Sequence, residues 1–120
     1  MVASSDKSDK NVELLHEIAE RLGANGQIEI GTMFRSPGLR TGTKIFAFLG
    51  REDRLIVKLP RERVIAMVES GGAEPVTMGT RTMREWVAID PDADPQSTLE
   101  TWTAMAREAL LFVRESDENH

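Results

Sequence analysis

Sixteen residues, Lys44 to Leu59, constrain this chain more than any other stretch. Their apolar positions are rich in β-branched and aromatic side chains, and the run is broken once, by Gly50-Arg51-Glu52-Asp53. That composition favours two strands and a turn over one helix. In the second strand Leu55, Val57 and Leu59 share one face and Arg54, Ile56 and Lys58 the other; in the first, Ile45, Ala47 and Leu49 oppose Lys44, Phe46 and Phe48. A one-residue slip would send every core side chain to the wrong side, so the loop must hold an odd number of residues. With Arg51, Glu52 and Asp53 as the loop, Leu49 faces Leu55, Ala47 faces Val57 and Ile45 faces Leu59.

The opposite face then collects Lys44, Phe46, Phe48, Arg54, Ile56 and Lys58. Aromatics interleaved with cations on a sheet can stack bases and follow phosphates. A helix can equally cover the two phenylalanines and leave the basic stems to shield the rim, and the pattern leaves both open.

At 120 residues without a break in composition, a single domain is expected. Cysteine is absent, which excludes disulfides and Cys-based zinc sites. MVASSDKSDKN has no apolar core after its charges and does not read as a signal peptide. No apolar run approaches the roughly 20 residues that span a bilayer. A cytoplasmic protein of bacterial style is expected, with no membrane partner.

The net charge is −5, unevenly spread. Residues 1–34 carry 3 Lys/Arg and 6 Asp/Glu, residues 35–84 carry 10 and 5, and residues 85–120 carry 2 and 9. A basic middle between acidic ends suits a polyanionic partner, and it equally suits segments that neutralise one another in the fold.

Along the chain, residues 1–8 read as a disordered lead. A helix is expected from an Asp9 cap, carrying Val12, Leu15, Ile18, Ala19 and Leu22 to a stop at Gly23, with His16 on its solvent side. Ile28 to Phe34 reads as a strand, and Ser36-Pro37-Gly38 as a turn with Gly38 at positive φ. After a bend at Thr41-Gly42-Thr43 come the two hairpin strands. Pro60 then opens a helix over Arg61 to Ser70 that buries Val64, Ile65, Met67 and Val68 and ends at Gly71-Gly72. Residues 73–82 read as an irregular loop and Met83 to Ile89 as a strand. Asp94-Pro95 caps a last helix, to about Arg114, with Leu99, Trp102, Ala106, Ala109, Leu110 and Val113 on its buried side. Both tryptophans, Trp86 and Trp102, fall in elements expected to pack on the core. The order α-β-β-β-α-β-α predicts an α+β domain over 9–115, with a mainly antiparallel four-stranded sheet, three helices and an acidic tail at 116–120.

GTMF at 31–34, Pro37-Gly38-Leu39, GTKIFAFL at 42–49, LIVKLP at 55–60 and MREWVAI at 83–89 together resemble the N-terminal domain of the TfoX/Sxy competence-regulator family, within the wider MmcQ/YjbR-like group. The agreement in spacing and order covers about 60 residues, and the flanking helices extend it. The resemblance implies a compact α+β domain without enzymatic activity or cofactor, tied in some relatives to transcriptional control or DNA binding. Arg35 stands where the family pattern more often has Gly, and the second domain of full-length TfoX-like regulators is not part of the match.

Three functions follow. In a nucleic-acid-binding or regulatory module, Arg35, Arg40, Lys44, Arg51, Arg54, Lys58, Arg61, Arg81 and Arg84 are the candidate phosphate or partner contacts, and affinity would fall steeply with salt. In a protein-interaction or homodimerisation module, a hairpin edge and Met33, Met67, Met78 and Met83 would supply contacts. An enzyme would have to work through carboxylates such as Glu29, Glu85 or Asp90. No catalytic, metal or cofactor constellation is apparent, and the Gly-rich segment lacks phosphate-loop spacing.

Overall fold

A computed structural model of the chain describes residues 5–23, 28–33, 36–42, 44–50, 54–78 and 80–118. The elements run α1 (Ser5–Leu22), β1 (Ile28–Met33), β2 (Ser36–Thr41), β3 (Lys44–Leu49), β4 (Leu55–Lys58), α2 (Arg61–Glu69), β5 (Glu74–Met78), β6 (Arg81–Ile89) and α3 (Pro95–Glu118). Among the described residues this is an α+β fold with three helices and one six-stranded sheet, ordered β1-β2-β3-β4-β6-β5 and antiparallel throughout. None of the described helices is long and apolar enough to cross a membrane.

All three helices pack on one sheet face. Leu15 and Ile18 of α1, Val64 and Met67 of α2, and the α3 stripe of Leu99, Trp102, Ala106, Ala109, Leu110 and Val113 meet Leu39, Ala47, Leu55, Val57, Val87 and Ile89 in one core. The α3 stripe is the one its helical spacing requires. Arg63 clamps α2 to α3 with two bonds to the Glu108 carboxylate, Nε to Oε1 at 3.0 Å and Nη2 to Oε2 at 3.1 Å. Those bonds, and then the charge of Glu108, raise the Arg63 pKa, so the clamp's cation stays charged wherever the fold persists.

The sheet has six strands where four were expected. β2 occupies the segment read as a turn. Pro37 lies at its start, opposite Thr32 and outside the β2–β3 pairs, which begin at Gly38↔Phe48, so its missing N–H costs that ladder nothing. Gly38 is not among the positive-φ glycines, which among the described residues are Gly42 (φ 64) and Gly71 (φ 84). Gly42 follows Thr41, which pairs with Lys44 across the β2–β3 hairpin, where positive φ is needed. β5 occupies the expected irregular loop. It is an edge strand, and a sheet tolerates proline at its edge, here Pro75.

In the β3–β4 hairpin Leu49 faces Leu55 and Ala47 faces Val57, and the Gly50 N–H donates to the Arg54 carbonyl at 2.8 Å. The three-residue loop that this register demands lies outside the described residues. The alternation fails one step further back. Leu39 pairs with Ala47 but Arg40 with Ile45, so Phe46 is the extra residue of a β-bulge. The bulge turns Phe46, fully buried, onto the helix side with Ala47, and sends Ile45 to the opposite face. Ile45 therefore does not join the aliphatic surface, and Phe46 is not on the basic face.

Helix boundaries also moved. α1 begins at Ser5 and not at Asp9, and α3 reaches Glu118 and not Arg114; no Gly or Pro interrupts either extension. α2 ends as its glycines demand, with Gly71 N–H donating to Val68 O at 3.1 Å and Gly72 N–H to Met67 O at 3.0 Å. Ile65, expected in the core, is 49% exposed, because a nine-residue helix seated on Val64 and Met67 turns the next position outward.

Asp94 caps α3, its Oδ1 accepting the Ser97 N–H at 2.8 Å and its Oδ2 the Ser97 hydroxyl at 3.1 Å. These bonds hold its carboxyl below the usual 3.8. A lowered folded-state pKa contributes stability above the unfolded value, and that contribution is lost as pH falls through the folded one. Asp94→Asn keeps a capping oxygen that does not titrate. The stability advantage of the wild type over D94N, read from urea midpoints, is therefore expected to shrink as pH drops through 3.8 and below.

Candidate interaction surface

The face away from the helices carries the residues singled out in the sequence, and among the described residues no helix packs on it. One row crosses all six strands in register: Gly31, Gly38, Phe48, Ile56, Ala88 and Glu74. Phe48, Ile56 and Ala88 are buried with Val76, and half-buried Ile45, Met83 and Trp86 pack against them, all strand residues. The Trp86 ring meets Phe48 edge-on at 5.4 Å between centroids. So Phe48 is covered by neighbouring strands and not by a helix, and Trp86 lies outside the helix-packed core.

Arginine and lysine stems complete the cover. The Arg40 stem crosses Gly31, where an added Cβ would stand 3.3 Å from Arg40 Cδ. The Arg40 guanidinium binds Glu29 at 2.6 Å. Arg54, whose side chain is 25% exposed, binds Glu74 at 2.5 Å and Asp90 at 2.7 Å, tying β4 to the ends of β5 and β6. Lys58 Nζ lies 5.8 Å over the Trp86 ring, within cation–π range. Lys44, expected on this face, leaves it: the bulge that brings Ile45 here turns the preceding residue, paired with Thr41, toward the other side, where it stands half-exposed at the β2–β3 hairpin. This face therefore has an apolar centre and a rim on which both signs of charge alternate.

The other predicted contacts do not converge there. Arg61 and Arg84 are exposed on a groove of about 460 Å³ between α2 and the β5–β6 ribbon. Arg81 is placed only by its backbone, opposite Met78. Arg35 and Arg51 lie outside the described residues. Of the four methionines considered, Met67 is core and Met83 lines the groove, while the side chains of Met33 and Met78 are not described.

The carboxylates weighed for acid–base chemistry are kept apart. Glu29 on β1 and Asp90 after β6 are four strands from one another, about 19 Å at the usual spacing, and Glu85 lies five residues from Asp90, about 17 Å along an extended chain. Among the described residues no group of His, Asp and Glu could hold a metal ion. What sequence reasoning missed is the pairing of Glu29 with Arg40 and of Glu74 and Asp90 with Arg54, which strand order alone brings together. It also missed the α2 groove, whose one signal was an isoleucine beside the Val64/Met67 stripe.

Compared with known proteins, the chain matches no family model, no curated protein and no solved structure.

Proposed function

We propose that this chain is a small non-enzymatic interaction module, a TfoX N-terminal-like domain of MmcQ/YjbR-like fold acting in regulation in a bacterial cytoplasm, and that its helix-free sheet face pairs with a second copy of itself. One observation carries the choice of a protein partner: the cations of this face stand among carboxylates. Glu29, Glu74 and Asp90, all more than half exposed, share the rim with Arg40, Arg54 and Lys58. A phosphate backbone laid on this surface would meet three like charges. A rim of mixed sign around the half-buried Ile45, Met83 and Trp86 can instead set unlike charges against one another in a second copy, as a two-fold interface requires.

Sedimentation across a wide concentration range tests this. The expected result is a reversible dimer weakened by Lys58→Glu, and a monomer at every concentration overturns it. The nucleic-acid reading is tested alongside by fluorescence anisotropy with duplex and single-stranded DNA at low salt, where the electrostatic contribution is largest. No saturable binding is expected. Salt-sensitive binding lost on charge reversal at Arg54 and Lys58 would replace the protein partner with DNA.

A further inference from the structure

The groove beside α2 adjoins the sheet face at Met83, which belongs to both, but differs from it in charge: among the described residues its cations, Arg61 and Arg84, make no ion pair. We propose that it is a second docking site, one that takes an acidic, amphipathic segment of another protein.

At the groove the β5–β6 ladder is irregular. Its pairing jumps from Pro75↔Val87 to Val76↔Met83, leaving Arg84, Glu85 and Trp86 without β5 partners. Into the groove look Ile65 and Val68, one turn apart on α2, facing Pro75 and Met83 across an apolar floor. Ile65 is one of the two large apolar side chains left exposed among the described residues.

The ends of the groove differ. The Leu59 N–H donates to the Glu85 carbonyl at 3.0 Å, which sets Arg84 beside the start of α2 and therefore beside Arg61. Glu69 lines the far end, about 12 Å away along eight helical residues. Arg40, Arg54 and Arg63 all hold carboxylates, whereas neither Arg61 nor Arg84 makes an ion pair among the described residues. A ligand that answers this pattern places carboxylates at the Arg61/Arg84 end and large apolar side chains on Ile65 and Met83, within about 12 Å. A nucleic acid offers the charge without the apolar side chains. A groove of the same volume between α1 and β1 sets one histidine beside one glutamate and shows no such asymmetry.

The test is selection from a phage-displayed library of random dodecapeptides on the intact chain, followed by anisotropy with the enriched peptides, each variant first checked for its fold by circular dichroism. Enriched peptides are expected to combine acidic and large apolar residues. They should lose roughly tenfold or more in affinity to the Arg61→Glu/Arg84→Glu variant and to Ile65→Asp, and none to Lys58→Glu. No enrichment, or peptides that bind R61E/R84E as well as the wild type, overturns the proposal. Binding lost only in K58E would assign it to the sheet face instead. Because dimerisation is read separately by sedimentation, either site can fail while the other stands.

Discussion

Replacing Trp102 by alanine is expected to lower the unfolding free energy by about 3–5 kcal/mol. The side chain is fully buried, among the largest so enclosed, and the indole N–H reaches the Asp90 carbonyl at 3.4 Å. Truncation loses the apolar contact of the ring and opens a cavity under β3 and β4 that surrounding side chains only partly fill. Against a usual total of about 5–15 kcal/mol, that leaves a marginal protein. Trp102→Phe keeps most of the volume and gives up the hydrogen bond, so it should fall well short of the alanine loss. Leu111, on the same helix but 53% exposed, is the control: its alanine variant should stay within about 0.5 kcal/mol of the wild type. Chemical denaturation followed by far-UV circular dichroism reads all three. If W102A behaved like L111A, α3 would be presenting a different face to the sheet.

Trp102 was legible in the sequence because a long amphipathic helix repeats its signal over many turns. Every residue of the Leu99-to-Val113 stripe is buried, and so are Leu15, Ile18 and Leu22 of α1. The hairpin register was legible for the same kind of reason, since matching faces fix Leu49 against Leu55. What stayed hidden depends on non-local geometry. A bulge inserts one residue without changing composition, so Phe46 and Ile45 traded faces with no mark in the sequence. β2 and β5 carry proline, whose usual meaning is a turn, and its tolerance here comes from a strand's start and a sheet's edge. The candidate site was half legible. Strand alternation put Arg54, Ile56 and Lys58 on one face, but the acidic partners of the arginines come from strands far away in the chain, and segment charge counts cannot bring them together.

Gly38 separates the two accounts of why glycine occurs in this sheet. Read locally, Pro37-Gly38 needs glycine for a positive φ; in the structure Gly38 is an ordinary strand residue in direct register with Phe48. An added Cβ would stand 2.9 Å from the Ala47 carbonyl oxygen and 2.9 Å from Phe48 Cβ. Both atoms belong to or adjoin the backbone of β3, so neither can swing aside without moving the strand. Gly38→Ala is therefore expected to cost about 1–3 kcal/mol, as overpacking does. At Gly50 the clash is closer, but it is with Ile56 Cδ1 and Cγ1, side-chain atoms that a rotamer change moves together without shifting a strand. Gly50→Ala should cost less despite the shorter distance. Asparagine makes the distinction sharper, because at a positive-φ site it is tolerated better than alanine, whereas in a steric slot its extra atoms only add to the clash. Denaturation midpoints ordered wild type, G50A, G38A, then G38N are the expected series. A G38N variant more stable than G38A would return Gly38 to the role of a turn, and with it remove β2 from the middle of the sheet.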